Sequence, residues 1–279
     1  MSGIYQVMES ILPFSWIQYD FMKNALLAVL IITPLFGILG TMIVNRKMAF
    51  FSDALGHSAI TGIALGVILG LADTNISMIV FGIMFAFALN KINSRNLVGT
   101  DTIISVFSSF SIAIGLVILS QGGNFSKYSN LLVGDILSIT PKEILYLLLV
   151  FCGTILFWFL CYNQIQSLSL SSSLAKSRGV KVKLISNLFD IFLAVIVMLS
   201  IKWVGILIIN ALLILPAAAA RNISENVREY HGFSLLFSIF SGLVGLIISY
   251  YINTATGPTI VIIASVIFFS TYIYGNKIK

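Results

Sequence analysis

Apolar residues in this chain fall into long blocks separated by short polar or charged stretches. Nine blocks are long enough to cross or enter a bilayer as helices, at residues 26–44, 51–71, 76–89, 103–119, 144–162, 185–201, 204–220, 233–251 and 259–274. The third is short, and the seventh ends in Pro216 and a run of alanines, which permits a kink near the inner face. The pattern therefore predicts an all-α, polytopic membrane protein with nine membrane segments, or eight crossings if one block is re-entrant. Residues 1–279 read as one transmembrane domain, with no room for a soluble catalytic module.

Charge placement supplies a topology. In a nine-span arrangement one face collects Arg46, Lys47, Lys91, Arg95, Lys176, Arg178, Lys181, Lys183, Arg221, Arg228, Lys277 and Lys279. The other collects Lys23, Lys127, Lys142 and Lys202. Cytoplasmic loops are enriched in Lys and Arg, so this bias predicts an outer N-terminus and a cytoplasmic C-terminus. The net charge of +6 thus reflects topology signals and not a nucleic-acid footprint. Composition agrees: 58% of residues are apolar and 9% charged, against about 45–50% and about 25% in globular chains. No cleavable signal peptide is evident, because Glu9 and Asp20 precede the first long block and no basic region opens the chain. Cys152 and Cys161 lie nine residues apart in one block and would point in nearly opposite directions on a helix, so they read as apolar filler.

Two connecting segments stand out. Residues 121–141 form an external loop that carries the run Leu131-Leu-Val-Gly-Asp-Ile-Leu137. Residues 164–183 form the largest cytoplasmic segment. Within it, Ser171-Ser-Ser-Leu-Ala-Lys-Ser-Arg-Gly179 predicts a short helix, with serines at the N-cap, Lys176 and Arg178 at the negative end and Gly179 as the stop. Such a helix suits docking to a soluble partner; an ordinary basic surface loop is the alternative.

The strongest chemical signal is an ionisable pair inside an apolar block, in the run Phe51-Ser-Asp-Ala-Leu-Gly-His57. The i, i+4 spacing puts Asp53 and His57 on one helix face. At about 1.5 Å per residue, His57 lies roughly 15 Å beyond Lys47, near the middle of the hydrocarbon core. Ionisable groups at that depth face a partner or a wet path, and a carboxylate with an imidazole begins a divalent-metal site. Two readings fit the residues alone: a substrate-coordinating position, or a polar pair that satisfies itself or a neighbouring backbone. Small residues also recur every four positions at Ala54, Ser58, Gly62, Gly66 and Gly70, which allows another helix to approach closely. This stripe is expected to place the pair at a crowded helix–helix seam.

Other polar groups near or within the blocks are weaker candidates. Asp101 opens the fourth and reads as a cap. Asp190 and Asn210, in the sixth and seventh, are possible path-lining residues, and His231 is expected in a solvated cytoplasmic loop. The sequence has no G-x-x-x-x-G-K-[ST] phosphate loop, no H-E-x-x-H, no C-x-x-C and no Gly-x-Ser-x-Gly elbow, so nothing points to an enzyme.

Two runs carry a family resemblance. One spans residues 46–66, including Phe51-Ser-Asp-Ala-Leu-Gly-His57 followed by Ser58 and Ala59. The other is Val204-Gly-Ile-Leu-Ile-Ile-Asn-Ala-Leu-Leu-Ile-Leu-Pro-Ala-Ala-Ala-Ala-Arg221. Supporting matches are Asp101-Thr-Ile-Ile, Leu132-Val-Gly-Asp-Ile-Leu137 and the turn from Ala175 to Gly179. With these residues the chain resembles the ABC-3 family, the permease subunits of ABC importers for manganese, zinc or iron. The resemblance implies a fold similar to the vitamin B12-type (type II) importer permease, in the cytoplasmic membrane of a bacterium. It also implies a homodimer of permease chains around a central path, a separate ABC ATPase subunit and an extracytoplasmic metal-binding lipoprotein.

The ATPase would couple at Leu174, Ala175, Arg178 and Gly179, and Asp53 and His57 would contact the metal or gate its path. The metal is cargo, and no covalently bound cofactor is expected. Relatives often carry a proline after the motif's histidine pair, where this chain has Ile60-Thr61, so a straighter helix is expected here. The rival reading is a secondary, proton-coupled transporter that uses Asp53 and His57 as a proton relay.

Overall fold

The computed structural model describes residues 2–11, 14–71, 73–93, 99–121, 134 and 136–278. Its helices are α1 (Ser2–Ile11), α2 (Asp20–Asn45), α3 (Ala49–Ile68), α4 (Thr74–Asn93), α5 (Thr100–Gln121), α6 (Pro141–Leu170), α7 (Ser172–Ser177), α8 (Val182–Val204), α9 (Ile206–Ile223), α10 (Val227–Ile252) and α11 (Thr256–Ile278). Short 3-10 turns occupy Ser15–Gln18 and Ile136–Ser138.

Among the described residues, nine helices are long and apolar enough to cross a membrane: α2 to α6 and α8 to α11. Each expected block lies on one of them. The short third block becomes a 20-residue helix because the polar flanks Thr74, Asn75 and Asn90 join its ends. Pro216 sits inside α9, which runs unbroken from Ile206 to Ile223. Helices suit such blocks because lipid offers no partner for an unpaired backbone group. Much of the external loop, including residues 131–133 and 135 of the Leu131–Leu137 run, lies outside the described residues, as do Arg95, Lys127 and Lys279.

Contacts group the chain into two units, each drawn from discontinuous segments. The first comprises residues 1–41, 133–156 and 203–279. In it α10 lays a row of hydroxyls against the carbonyls of α2. Tyr230 Oη donates to Thr41 O at 3.3 Å, Ser234 Oγ to Gly37 O at 2.7 Å and Ser238 Oγ to Thr33 O at 2.7 Å. The donors are four residues apart and share one helix face. Close approach is what makes these bonds reachable: a Cβ on Gly37 would stand 3.0 Å from the Ser238 Cβ, and one on Gly40 would collide with the Leu213 carbonyl of α9.

At the start of α2, Lys23 is only 4% exposed, yet its ammonium is held by Glu9 of α1 at 2.5 Å and by Asp20 at 3.0 Å. The Tyr5 hydroxyl of α1 donates to Asn24 Oδ1 on the neighbouring position of α2. Gly134 has φ +79 and packs against the Val204 carbonyl so closely that a side chain there would strike it.

The second unit comprises residues 42–132 and 157–202. Its centre is α3, flanked by α4 and α5. On the α4 side a Cβ at Gly62 would meet the Met78 Cα at 2.7 Å, one at Gly66 would collide with Ser77, and Ser77 Oγ donates to Gly62 O at 2.8 Å. On the α5 side Gly115 lies against the Thr61 backbone, Thr61 Oγ1 donates to Ser111 O, and Ser111 Oγ reaches Thr61 Oγ1 at 3.1 Å.

Candidate functional site

The bend that launches α3 is tight. α2 closes with Met48 N–H on Ile43 O at 2.8 Å and Lys47 N–H on Val44 O at 3.1 Å, with Lys47 at φ +56. This is the paired bonding of a left-handed helix stop, here without glycine. α3 then buries Phe51, Leu55, Ala59 and Ile63.

On α3, His57 Nε2 lies 3.5 Å from Asp53 Oδ1, within ion-pair reach when the imidazole is protonated. The two side chains keep 37% and 47% of their surface exposed, so among the described residues neither is fully covered, whereas Ala64, two turns further along the same face, is buried. The two glycines in the middle of the small-residue stripe do not share the face of the pair. Nine residues separate Asp53 from Gly62 and His57 from Gly66; at about 100° per residue, nine steps end half a turn away. The two glycines face α4 and the ionisable pair faces away from it. Gly70 also departs from the stripe: no atom lies within 4 Å of the Cβ it lacks, and its φ is +64. It ends α3 as a left-handed cap, with Gly70 N–H on Val67 O and Leu71 N–H on Gly66 O. Ser58 is buried and donates to Leu55 O at 2.8 Å.

Among the described residues no three His, Cys, Asp or Glu side chains cluster as a metal site. One copy of the chain therefore offers a carboxylate and an imidazole, two donors of a type that suits first-row divalent ions, and fewer than the four to six such ions take.

The other candidates have different surroundings. Asp190 on α8 is 2% exposed, and both its oxygens are occupied. Arg46 Nη1 donates to Oδ1 at 3.1 Å, and Asn90 Nδ2 of α4 donates to Oδ2 at 2.9 Å. Ser186 Oγ reaches Oδ2 at 3.4 Å and accepts from Arg46 Nη2 at 2.6 Å. The guanidinium also lies 4.9 Å from the Phe189 ring centre. Removing one partner from such a buried pair costs about 3–5 kcal/mol. Asp190 is thus a buried counter-ion to Arg46 within its own unit.

Asn210 is half-buried on α9. Asp101 is exposed in the first turn of α5, where a negative charge complements the helix end. His231, expected in a solvated loop, instead lies in the second turn of α10, half-buried with its ring centre 5.8 Å from that of Tyr230.

The short helix between the fifth and sixth spans forms where its signals placed it. Ser171 caps α7 by accepting from the Leu174 N–H. Gly179, at φ +76, ends it with bonds from Gly179 N–H to Lys176 O and from Val180 N–H to Ala175 O. Leu174, Arg178 and Gly179 are exposed, whereas Ala175 is fully buried and so faces the chain itself, not a partner. The Arg46–Asp190 clasp and the hydroxyl row of α10 had no local signal, since their partners lie 140 to 205 positions apart.

Known proteins fit this architecture along nearly its whole length. The family model for the ABC 3 transport family matches residues 18–275. The high-affinity zinc uptake system membrane protein ZnuB of Haemophilus influenzae is 31% identical over 255 residues, covering 90% of this chain and 96% of that one. The manganese transport system membrane protein MntC of Listeria monocytogenes is 25% identical over 260 residues, covering 93% and 92%. The solved structure of PsaBC from Streptococcus pneumoniae in complex with Fab superposes with a TM-score of 0.81 at 27% identity, over 98% of this chain and 95% of that one. With nine membrane-length helices, a half-open Asp–His pair and this match from residue 18 to 275, the chain belongs to the ABC 3 transport family.

Proposed function

We propose that this chain is the membrane permease of an ABC importer that brings manganese, zinc or iron into the cell, and that Asp53 and His57 meet the ion on its way. The observation that carries the reading is a half-exposed ionisable pair within the membrane-length helix α3, 37% and 47% exposed, in a member of a family whose relatives are named for zinc and manganese transport. A second copy related by a two-fold axis would add another carboxylate and imidazole, giving four donors. Such a site must hold the ion weakly enough to release it.

ATP hydrolysis belongs to a separate subunit, consistent with the lack of a phosphate loop in this sequence. That subunit couples through residues 164–183, where α7 presents Leu174, Arg178 and Gly179. An extracytoplasmic lipoprotein delivers the ion to the outer face, and the charge bias of the loops supports an outer N-terminus and a cytoplasmic C-terminus. Import then proceeds by alternating access, with the ATPase switching which side the pair is open to.

The test is uptake of Mn2+ and Zn2+ into vesicles holding this chain with its ATPase. Asp53→Asn and His57→Ala are expected to lower ATP-driven uptake by about tenfold or more while leaving ATPase association intact. Unchanged uptake in both variants would remove the pair from the path, and uptake without ATPase would favour a secondary carrier.

A further inference from the structure

Resting on the permease reading, we infer that the buried clasp of Arg46 and Asp190 is a positioning device that carries motion from the ATPase-facing helix to the helix bearing the metal pair. Its place in the second unit supports this. α8 begins at Val182, four residues intervening after α7, and Asp190 lies about 12 Å along it. Arg46 stands three residues before α3, in the bend closed by Met48 N–H on Ile43 O. The bend continues into α3 through Phe51 N–H and Ser52 N–H on Met48 O, at 3.1 and 3.2 Å. A shift of α8 is therefore delivered through Asp190 and Arg46 to the first turn of α3, four residues before Asp53.

The clasp grips a second lever. Asn90 near the end of α4 donates to Asp190 Oδ2 at 2.9 Å, and α4 is the helix locked against Gly62 and Gly66 of α3. Thus α8 holds the bend beneath α3 and the helix behind it at one charged point.

Stability alone is a poor account of that point. A buried ion pair is often replaced by apolar residues of similar volume with no loss of stability. What apolar packing would not reproduce is the fixed register: a guanidinium fork with one arm on Asp190 and one on Ser186, seated on the Phe189 ring. An apolar contact in its place would let α8 slide past the bend.

The experiment uses the complete complex in vesicles, with Mn2+ and Zn2+ as probes, and measures ions imported per ATP hydrolysed. Replacing the whole pair, Arg46→Met with Asp190→Leu, is expected to leave assembly intact and ATP hydrolysis within about twofold, while ions per ATP fall about tenfold. Arg46→Lys, which keeps the charge and loses the fork, should fall between this variant and wild type. Wild-type ions per ATP in the double variant overturns the inference, as does a parallel drop in hydrolysis and uptake that leaves the ratio unchanged. If the double variant does not assemble, Arg46→Lys decides, and an unaltered ratio overturns it. A wild-type complex without ATP-driven metal uptake sinks the permease reading and this inference together; wild-type uptake with an unaltered ratio in the variants sinks the clasp alone.

Discussion

Gly62→Ala adds one methyl to the seam between α3 and α4, and the structure sets the size of the effect. The new Cβ would stand 2.7 Å from the Met78 Cα, a backbone atom that cannot rotate aside. Comfortable carbon contacts lie at about 3.5–4.0 Å, so the helices must part by roughly 1 Å. That movement stretches the 2.8 Å bond from Ser77 Oγ to Gly62 O past useful range. The lost bond costs about 1 kcal/mol, which the better helix propensity of alanine offsets by about the same amount. Overpacking remains, at about 1–3 kcal/mol. Thermal unfolding in detergent should show a midpoint lower by roughly 3–10 °C. Gly153→Ala on α6 is the control, because no atom lies within 4 Å of its missing Cβ, and its midpoint should hold or rise. If Gly62→Ala is tolerated as well as Gly153→Ala, the close α3–α4 approach is wrong, and with it the argument that the ionisable pair faces the opposite way.

Two further outcomes follow from the local geometry. Ser234→Ala with Ser238→Ala removes two interhelical bonds to α2 and should destabilise the protein by about 1 kcal/mol in total, read from detergent unfolding; a midpoint equal to wild type would mean the hydroxyl row contributes nothing. Gly179→Val places a β-branched residue at φ +76 and should disrupt the end of α7; the test is co-purification of the ATPase with the permease, expected to fall severalfold while the permease still inserts into membrane. Full co-purification would remove α7 from the coupling surface.

The spans were legible because lipid imposes a simple rule: a block of apolar residues must satisfy its backbone internally, so each became a helix. The cap of α7 was legible for the opposite reason, since Ser171 and Gly179 act on bonds within a few residues of themselves. The orientation of the small-residue stripe was misjudged by helix arithmetic. A four-residue repeat drifts by about 40° at each step, so a line begun at Ala54 has turned about 120° by Gly66. Gly62 and Gly66 thus lie on the far side of α3 from Asp53 and His57. The partners of Asp190 were not legible because they come from α2 and α4, and only the folded chain brings Arg46 and Asn90 to it. His231 was misread because α10 begins at Val227, earlier than its apolar block.

The family match begins at residue 18, yet the buried ammonium of Lys23 is neutralised in part from residue 9. α1 therefore acts as a counterweight to the first span, and a chimera that transplants that span of this chain into a relative should bring residues 2–11 with it. Grafted without them, Lys23 and Asn24 would enter the new host having lost Glu9 and Tyr5, and the hybrid should fail at the start of that span before any question of transport arises.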